Sequence, residues 1–419
     1  MSERHSVRGW CPGALRPMAS GDGLIVRVRP RAGAFSIAAI AAVAEGAAAA
    51  GNGLIDVTRR GNLQVRGVDP ELLAGLIAAI ARHHHIDSSP AAEAVRNVLV
   101  DPLAGVDPSA SVDVRPIALR LEQSLASDEI LQSLPGKFGF AVDSGASARL
   151  PDTVADVRLT AIAPEDVAID VLRPGGSARV AMVAPDVAAD RAADVARRLA
   201  GRLGGHVRRV RDLPEAVLID ALGTRPMPRV TAATADAPKP LGILASHGRV
   251  FAVGLAVPFG QMQARDLSAL ADRVKSIGIT ELRVAPWRAL YAPASDADTA
   301  SRALAAGLAH GLVANVDDPR LRIDACPGAP SCPSATVDTR SAALTLAPLL
   351  AKADIRSLHV SGCAKGCART EPADLTLVGR DGSFGVVHRG SAAAQPIAWL
   401  APSAVAKALQ SAELDVQSA

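Results

Sequence analysis

Cysteine and aromatic residues are scarce in this chain, and each scarcity excludes a class of protein. Among 419 residues there are five cysteines, and phenylalanine, tyrosine and tryptophan together make up 2%. So few aromatic rings argue against a stacking surface for single-stranded nucleic acid. The net charge of +3 is small for this length and gives no support for nucleic-acid binding through bulk charge.

Long apolar runs are also absent. No window reaches the roughly 18–20 uninterrupted apolar residues of a membrane span, because Glu and Gly interrupt alanine-rich stretches such as SIAAIAAVAEGAAAAG. The N-terminal segment MSERHSVRGWCPGALRP has no apolar signal core, so we expect a cytoplasmic protein. That compartment disfavours structural disulfides, so the cysteines need another explanation. The length of the chain predicts two or three domains.

The chain repeats one order of elements. Residues 24–68 and 250–294 each have the pattern of a strand, a helix and a second strand. The segments that follow also match in order, LPGKFGFAVDSG and ADVRLTAI after the first copy, SLHVSGCAKGCART and ADLTLVGR after the second. Two long copies indicate a duplicated module rather than a solenoid. Two unrelated α/β domains of similar composition are the alternative.

Four of the five cysteines fall close together in the second copy. Cys326 and Cys332 lie in DACPGAPSCPS, and Cys363 and Cys367 lie in SGCAKGC. The first spacing is wider than that of usual zinc pairs, and no Cys-x-x-Cys redox pair is present. Four thiolates on turns rich in Pro and Gly suit an iron–sulfur cube, because the free backbone N–H groups of such turns can bond the sulfurs. Buried cysteines that pack as small apolar residues are the alternative.

The cysteine pattern in the second half of a duplicated chain resembles the sirohaem sulfite and nitrite reductase family. DVTRRGNLQVRG resembles the family's Thr-x-Arg-x-x-x-Gln tetrapyrrole-contact segment, RVRP at 27–30 its first-strand arginine cluster, and LPGKF at 134–138 its Leu-Pro-x-Lys-Phe loop. The resemblance covers most of the chain, from about residue 15 to residue 390. It implies that a 4Fe-4S cluster is held by Cys326, Cys332, Cys363 and Cys367.

The same resemblance implies an α+β fold of the sulfite/nitrite reductase type, with paired ferredoxin-like half-domains and two α/β lobes. We expect ferredoxin-like half 1 at residues 15–88 and α/β lobe 1 at 89–235. We expect half 2 at residues 245–310 and lobe 2, which carries the cluster, at 311–400. A protein with such pseudo-symmetry is expected to bind one large ligand between its halves.

The chain departs from the sulfite reductases near the expected anion site. Lys137 matches the first lysine of their loop, but Gly139 stands where a second lysine helps to bind the small anion. The segments RGWCPGALRPMASGDGLIVRVRPRAG, SGCAKGCAR and LPGKFGFAVD instead resemble a monooxygenase branch of the family that serves aerobic cobalamin (vitamin B12) biosynthesis. That branch implies hydroxylation of precorrin-3A by dioxygen and γ-lactone formation, with NADH as the ultimate reductant. It also implies a mononuclear non-haem iron beside the 4Fe-4S cluster, in place of sirohaem.

A tetrapyrrole fringed with acetates and propionates needs cations in its site. Arginine suits this task because its planar fork pairs with a carboxylate through two hydrogen bonds. On a strand, alternate residues share a face, so these side chains can point into one cleft together. The candidates are Arg27, Arg29, Arg59, Arg60, Arg66 and Lys137, with Asn62 and Gln64 as neutral donors. The alternative for each is a solvated arginine at the end of a strand.

Several assignments stay open at the level of sequence. The second iron could take histidine or carboxylate ligands, and His359 stands out because it lies close to the cluster loop, although a packed strand residue is the favoured interpretation. Cys11 is interpreted as structural, with a role as a fifth ligand as the alternative. No phosphate-binding glycine loop is present, so we expect an electron-donor protein as partner. The alternative functions are a sirohaem-dependent nitrite or sulfite reductase and a non-catalytic iron–sulfur or tetrapyrrole-binding protein.

Overall fold

A computed structural model describes residues 11–151, 155–228, 239–351, 353 and 355–411 of the chain. Within those ranges the chain forms 21 strands and 11 α-helices, and the strands make four sheets. None of the helices in the described ranges combines the length and the apolar character needed to cross a bilayer.

The first segment begins with an antiparallel hairpin and continues into an alanine-rich helix. Ser36 starts that helix by accepting a hydrogen bond from the N–H of Ala39 at 3.2 Å, as is typical of a serine N-cap. The elements of the segment are β1 (Met18–Ser20), β2 (Gly23–Val28), β3 (Ala34–Ser36), α1 (Ile37–Ala50), β4 (Leu54–Val57), β5 (Leu63–Val68) and α2 (Leu73–Ala81).

The next segment forms the first lobe, a mixed sheet with helices packed on it. Its long helix begins with Pro185, which fits the first turn because that position needs no backbone N–H. The elements are α3 (Pro90–Val95), β6 (Val98–Val100), α4 (Arg115–Ser127), α5 (Glu129–Gln132), β7 (Phe140–Asp143), β8 (Val157–Ala163), β9 (Asp166–Arg173), β10 (Gly176–Val183), α6 (Pro185–Ala200), α7 (Glu215–Leu222) and β11 (Met227–Pro228).

The third segment repeats the first. Asp296 caps its last helix by accepting a hydrogen bond from the N–H of Thr299 at 2.8 Å. The elements are β12 (Gly242–Ser246), β13 (Arg249–Ala256), β14 (Gln261–Gln263), α8 (Ala264–Ser276), β15 (Glu281–Ala285), β16 (Ala289–Pro293) and α9 (Ala297–Ala309).

The fourth segment forms the second lobe, which carries the four clustered cysteines. Asp338 caps its first helix by accepting a hydrogen bond from the N–H of Ser341. The elements are β17 (Ile323–Ala325), α10 (Thr339–Leu346), β18 (Leu358–Ser361), β19 (Ala373–Arg380), β20 (Ser383–Gly390), β21 (Ala398–Leu400) and α11 (Pro402–Gln410).

The two halves exchange one strand each. The first half-sheet has the order β1-β2-β5-β4-β14, and the second has the order β12-β13-β16-β15-β3. Thus β14 pairs with β4 of the other copy, and β3 pairs with β15. Helices α1 and α8 pack against each other, and one apolar core includes residues of both halves, such as Val26 and Val253. The halves therefore form a single central unit.

The two lobes share one topology. In the first, β6, β7 and β8 are parallel and β9 and β10 follow antiparallel. In the second, β17, β18 and β19 are parallel and β20 and β21 follow antiparallel. The predicted α+β fold with an internal duplication is therefore confirmed. We propose to keep the four-part division of the chain given above, with the exchanged strands as the link between the halves.

Candidate functional site

The four clustered cysteines lie at one edge of the second lobe. Cys326 directly follows β17, and Cys363 and Cys367 lie on the turn after β18. Because these two strands are parallel neighbours, their carboxyl ends meet at the same edge of the sheet. Cys332 joins them from the loop after β17, where its N–H bonds the carbonyl of Gly328 at 2.8 Å.

Backbone groups around Cys326 are arranged to receive a charged sulfur. The N–H of Gly362 donates to the Sγ of Cys326 at 3.1 Å, and the hydroxyl of Thr339 holds the carbonyl of the same cysteine at 2.6 Å. A Cβ on Gly362 would lie 2.5 Å from the Cβ of Ala335, so only glycine fits. Hydrogen bonds to thiolate sulfur are one of the means by which proteins stabilise iron–sulfur clusters.

Deprotonation of the Cys363 thiol is electrostatically unfavourable. Burial raises the pKa of the Cys363 thiol, and the neighbouring sulfurs of Cys332 and Cys326 raise it further. A metal cluster with positively charged iron would remove this penalty, because thiolates bind it deprotonated. Among the described residues no three metal-binding side chains converge on a single point. A cubane does not require that, since each thiolate bonds a different corner of the cube. The donor set therefore fits a 4Fe-4S cluster.

The first lobe has no such thiols at the equivalent edge. Comparison of the strand registers makes Asp101 the counterpart of Cys326, since each follows the first parallel strand of its lobe. Ser144 is likewise the counterpart of Gly362, and its hydroxyl donates to the carboxyl of Asp101. Burial raises the pKa of Asp101 to about 7, and the charge of Asp143 adds to the effect. The duplication therefore offers one cluster site, in the second lobe.

A row of arginines begins on the first half-sheet. Arg27 on β2 donates to the side-chain oxygen of Gln64 on β5 at 3.2 Å, and Gln64 donates in turn to Asp56 at 3.2 Å. Arg29 follows β2, is 3% exposed and lies 3.5 Å from Glu93. Burial lowers the pKa of Arg29 to about 10. The side chain therefore stays charged at neutral pH, although its burial disfavours the charged form.

The cations meet at a cavity between the first half, the first lobe and the loop after the cysteines. Its volume is about 350 Å³, which suits the carboxylate-bearing edge of a large ring rather than the whole ring. Four predicted residues line it, namely Arg29, Arg59, Arg60 and Asn62. The prediction missed four other residues that line it, namely Arg96, Asn97, Arg209 and Thr370.

Several guanidinium nitrogens near this cleft are buried and have no hydrogen-bond partner among the described residues. These are Nε of Arg27, Nε and Nη1 of Arg29, Nη2 of Arg209 and Nε of Arg340. A buried donor without a partner costs the full desolvation penalty of the group. An anionic ligand with several carboxylates would satisfy these donors, so the geometry is that of a site for a polyanion.

A second group of arginines converges on one carboxylate of the second lobe. Asp324 on β17 bonds Arg59 at 2.5 Å, Arg369 at 3.3 Å and Arg288 at 3.4 Å. Burial alone would raise the pKa of Asp324, but the charges of Arg59 and Arg288 outweigh it and hold that pKa below its usual value. The three arginines come from three separate segments, and the duplication could have indicated Arg288, because it lies on the turn that repeats the turn of Arg59.

Three predicted cations, Arg27, Arg66 and Lys137, are not among the residues that line the cavity. Arg66 is 2% exposed and its donors bond Asp22, Asp56 and the carbonyl of Ser331, so it ties the first hairpin to the cysteine loop. Lys137 is half-buried on a loop that Asn97 holds through two of its carbonyls. No hydrogen bond or ion pair within the described residues joins Lys137 to the other predicted residues.

The equivalent cleft of the second half is filled by the chain itself. The pair Arg27 and Gln64 of the first sheet has as its counterpart Gly254 and Tyr291. The hydroxyl of Tyr291 donates to the carbonyl of Pro240 at 2.7 Å, and a Cβ on Gly254 would lie 2.6 Å from that same carbonyl oxygen. The segment that enters the second half thus covers this cleft, and the cationic cleft of the first half is the candidate site.

Two known protein families match the chain. The Nitrite/Sulfite reductase ferredoxin-like half domain matches residues 16–83, and the Nitrite and sulphite reductase 4Fe-4S domain matches residues 91–267. The second match covers the first lobe and ends before the four clustered cysteines.

Individual proteins match over longer stretches. The precorrin-3B synthase of Sinorhizobium sp is 33% identical over 407 residues, which are 96% of this chain and 87% of that protein. The chloroplastic ferredoxin–nitrite reductase of Zea mays is 28% identical over 380 residues, which are 78% of this chain and 64% of that protein. The Mycobacterium tuberculosis NirA protein superposes with a TM-score of 0.68 and 20% identity, over 92% of this chain and 79% of that one. This last likeness shows the fold.

Proposed function

The chain belongs to the precorrin-3B synthase branch of the nitrite and sulfite reductase family, and on this basis we propose that it is a monooxygenase acting on precorrin-3A. In this reaction one atom of dioxygen enters the ring at the carbon that joins rings A and D, and a ring A acetate closes to a γ-lactone. The other oxygen atom leaves as water, which requires two electrons and two protons. The place of the reaction is aerobic cobalamin biosynthesis.

The observation that carries the proposal is the set of buried guanidinium nitrogens without partners around the cleft. Precorrin-3A presents acetates and propionates at its rim, and Arg27, Arg29 and Arg209 have buried nitrogens that make no hydrogen bond within the described residues. Arg60 and Asn62 line the same cavity and would complete the carboxylate contacts. The arginines would fix the orientation of the ring, because a guanidinium holds a carboxylate in a bidentate geometry.

We propose that Cys326, Cys332, Cys363 and Cys367 hold a 4Fe-4S cluster, which supplies electrons one at a time when bound. Gly362 stabilises the thiolate of Cys326 through its N–H. The electrons come from NADH through a separate electron-donor protein. A mononuclear iron, which the resemblance implies, would supply the activation of dioxygen, but within the described residues no three side chains come together to hold it.

A sirohaem-dependent nitrite or sulfite reductase is the second candidate, and the similarity to the nitrite reductase of Zea mays favours it. One contact argues against the reductase function. The N–H of Gly139, where those enzymes carry a lysine, donates to the carboxylate of Asp156 at 3.1 Å. A small anion there would meet a carboxylate instead of an ammonium group, although Arg209 compensates part of that charge at 2.9 Å.

Cofactor analysis separates the two candidates. The protein should be purified without oxygen and analysed for iron, acid-labile sulfide and sirohaem, with a visible spectrum of the same sample. We expect iron and sulfide with the broad absorption of a cubane cluster and no sirohaem bands. Stoichiometric sirohaem would contradict the monooxygenase and support the reductase. A sample that binds the ring but shows no turnover with dioxygen and reductant would instead indicate a binding protein.

A further inference from the structure

His359 is fully buried on β18 without any polar partner. It is 0% exposed, and neither ring nitrogen has a hydrogen-bond partner among the described residues. A buried polar group in this condition is costly and is rare in folded proteins. The imidazole packs under the cysteine turn, since its Cε1 would lie 3.6 Å from a Cβ placed on Gly366. His359 therefore packs against the turn that carries Cys363 and Cys367.

Asp324 is an acidic neighbour of this histidine. The two residues are aligned on the parallel strands β17 and β18, so their side chains leave the same face of the sheet. In the ligand-free chain, however, the carboxylate of Asp324 bonds Arg59, Arg288 and Arg369. The aspartate is thus beside the histidine but engaged elsewhere.

The first lobe shows that the sheet itself does not require this pair. The residues aligned in the same register there are Leu99 and Ala141, which pack in a small apolar cluster. A polar pair at this place occurs only in the lobe that carries the cysteines, within the described residues. This difference indicates that Asp324 and His359 serve the site rather than the fold.

We propose that His359 is a positioning residue that becomes the partner of Asp324 when carboxylates of the bound ring take over the arginines. This inference rests on the proposed tetrapyrrole substrate. Asp324 holds Arg59 and Arg288 through its ion pairs, in the role that a substrate carboxylate would take. When the ring binds, its own carboxylates pair with those guanidinium groups, and Asp324 turns to an imidazole N–H of His359.

The charges around His359 give this exchange a measurable consequence. Burial lowers the pKa of His359 to about 4. The carboxylate of Asp324 acts against this shift. The charges of Arg369, Arg59 and Arg288 add to it. Once the carboxylates of the ring neutralise those arginines, Asp324 acts alone and the pKa of His359 rises. His359 is already without solvent contact, so binding adds no further desolvation. Substrate binding is therefore coupled to uptake of a proton from solvent.

Calorimetry of the holoenzyme tests this coupling. The probe is uroporphyrin III, a porphyrin with an acetate and a propionate on each ring, titrated at pH 6.5 in buffers that differ in ionisation enthalpy. The dependence of the binding enthalpy on the buffer gives the number of protons taken up. We expect the wild type to take up more protons on binding than His359→Gln, since only the wild type has an imidazole that gains the carboxylate of Asp324 as its partner.

Two further variants make the test specific. His388→Gln is the control, because His388 is a half-buried residue of the second lobe whose two ring nitrogens are buried without a partner among the described residues. It lies on β20 opposite Leu375, on the other face of the sheet. It should match the wild type. Asp324→Asn should lose the extra proton uptake like His359→Gln, which keeps the test valid if one variant folds poorly.

The outcomes separate the two proposals. If His359→Gln takes up as many protons as the wild type, the partner exchange is wrong while the tetrapyrrole site stands. If His388→Gln loses the uptake as well, the effect belongs to the lobe in general and the exchange is also wrong. If the wild type does not bind uroporphyrin III at all, the tetrapyrrole function is overturned and the exchange with it.

Discussion

The backbone N–H of Gly362 and the sulfur of Cys326 lie 3.1 Å apart in a direct hydrogen bond. The bond joins the ends of two parallel strands and brings the two cysteine turns together. In the first lobe the hydroxyl of Ser144 and the carboxyl of Asp101 make the equivalent contact. One duplicated backbone frame thus supports a candidate cluster site in one copy and a closed polar contact in the other.

Replacement of Gly362 by alanine should abolish cluster binding. The new Cβ would lie 2.5 Å from the Cβ of Ala335, so the turn must move and the hydrogen bond to Cys326 is lost. We expect iron and sulfide content to fall to a small fraction of the wild-type value. Gly75→Ala is the control, because a Cβ there meets nothing within 4 Å and alanine favours the helix; it should retain the full content. Full occupancy in Gly362→Ala would contradict the assignment.

Single replacements of the four clustered cysteines by serine should each remove the cluster. Serine cannot supply the thiolate that iron requires, so the absorption of the cluster should disappear from each variant. Cys11→Ser should keep the iron and sulfide content, because Cys11 lies beside Arg27 and not among the four sulfurs. Loss of the cluster in Cys11→Ser alone would show that the ligand set is wrong.

Arg27→Met should weaken binding of a tetrapyrrole polycarboxylate. Loss of hydrogen bonds to a charged group costs about 1.5–3 kcal/mol, which is roughly a tenfold to hundredfold increase in Kd. The free energy of unfolding should stay the same or rise by about 1–3 kcal/mol, because a buried cation with an unpaired nitrogen is removed. Fluorescence titration with uroporphyrin III measures the affinity, and thermal unfolding measures the stability.

The control for this prediction is an arginine of similar kind at the surface. Arg302→Gln removes an exposed charge that pairs only with Asp298 one helical turn away, and surface pairs of this type contribute little. It should leave both the affinity and the unfolding temperature close to the wild type. Equal affinity in Arg27→Met and Arg302→Gln would place the ring outside this cleft.

Gly139→Lys should disturb the cleft more than Gly139→Ala. Both add a side chain to the cavity wall, but the ammonium group of lysine would pair with the carboxylate of Asp156 and compete with Arg209 for it. We expect the affinity for uroporphyrin III to fall further in the lysine variant than in the alanine variant. Tighter ring binding in Gly139→Lys would show that the cavity tolerates, or needs, the second cation of the sulfite reductases.

Asp101→Asn should change how stability depends on pH. Burial raises the pKa of Asp101 in the folded chain to about 7, from an unfolded value near 3.9. The folded state therefore binds the proton more tightly, so this residue's contribution to stability is full below about pH 4 and is lost as the pH rises towards 7. Relative to the asparagine variant, the unfolding temperature of the wild type should fall across this range. Unfolding temperatures of the wild type and Asp101→Asn that change in parallel with pH would contradict the raised pKa of Asp101.

The sequence alone supports the cluster and the first-half arginines because these signals are local. Four cysteines on glycine-rich turns define their own chemistry, and Arg27 and Arg29 share a face because strands have a period of two residues. The duplication was visible for the same reason, since the order of elements and turns repeats along the chain.

The partners that come from distant segments could not be predicted in this way. Arg209 lies after a helix of the first lobe, and Arg369 lies beyond the cysteine turn; only the fold brings them to the cleft. The exchanged strands β3 and β14 are three residues long, too short for a periodic pattern. Arg66 has the right face and spacing for a ring contact, but its donors bond Asp22, Asp56 and the carbonyl of Ser331, which the local pattern does not reveal.

Incubation of the holoenzyme with precorrin-3A, a reducing system and isotopically labelled dioxygen tests the central claim most directly. Mass spectrometry then measures the mass and the isotope content of the product. We predict a product that has gained one oxygen atom, carries the label and contains a lactone. An unchanged ring, together with tightly bound sirohaem and reduction of nitrite or sulfite by the same preparation, would contradict it.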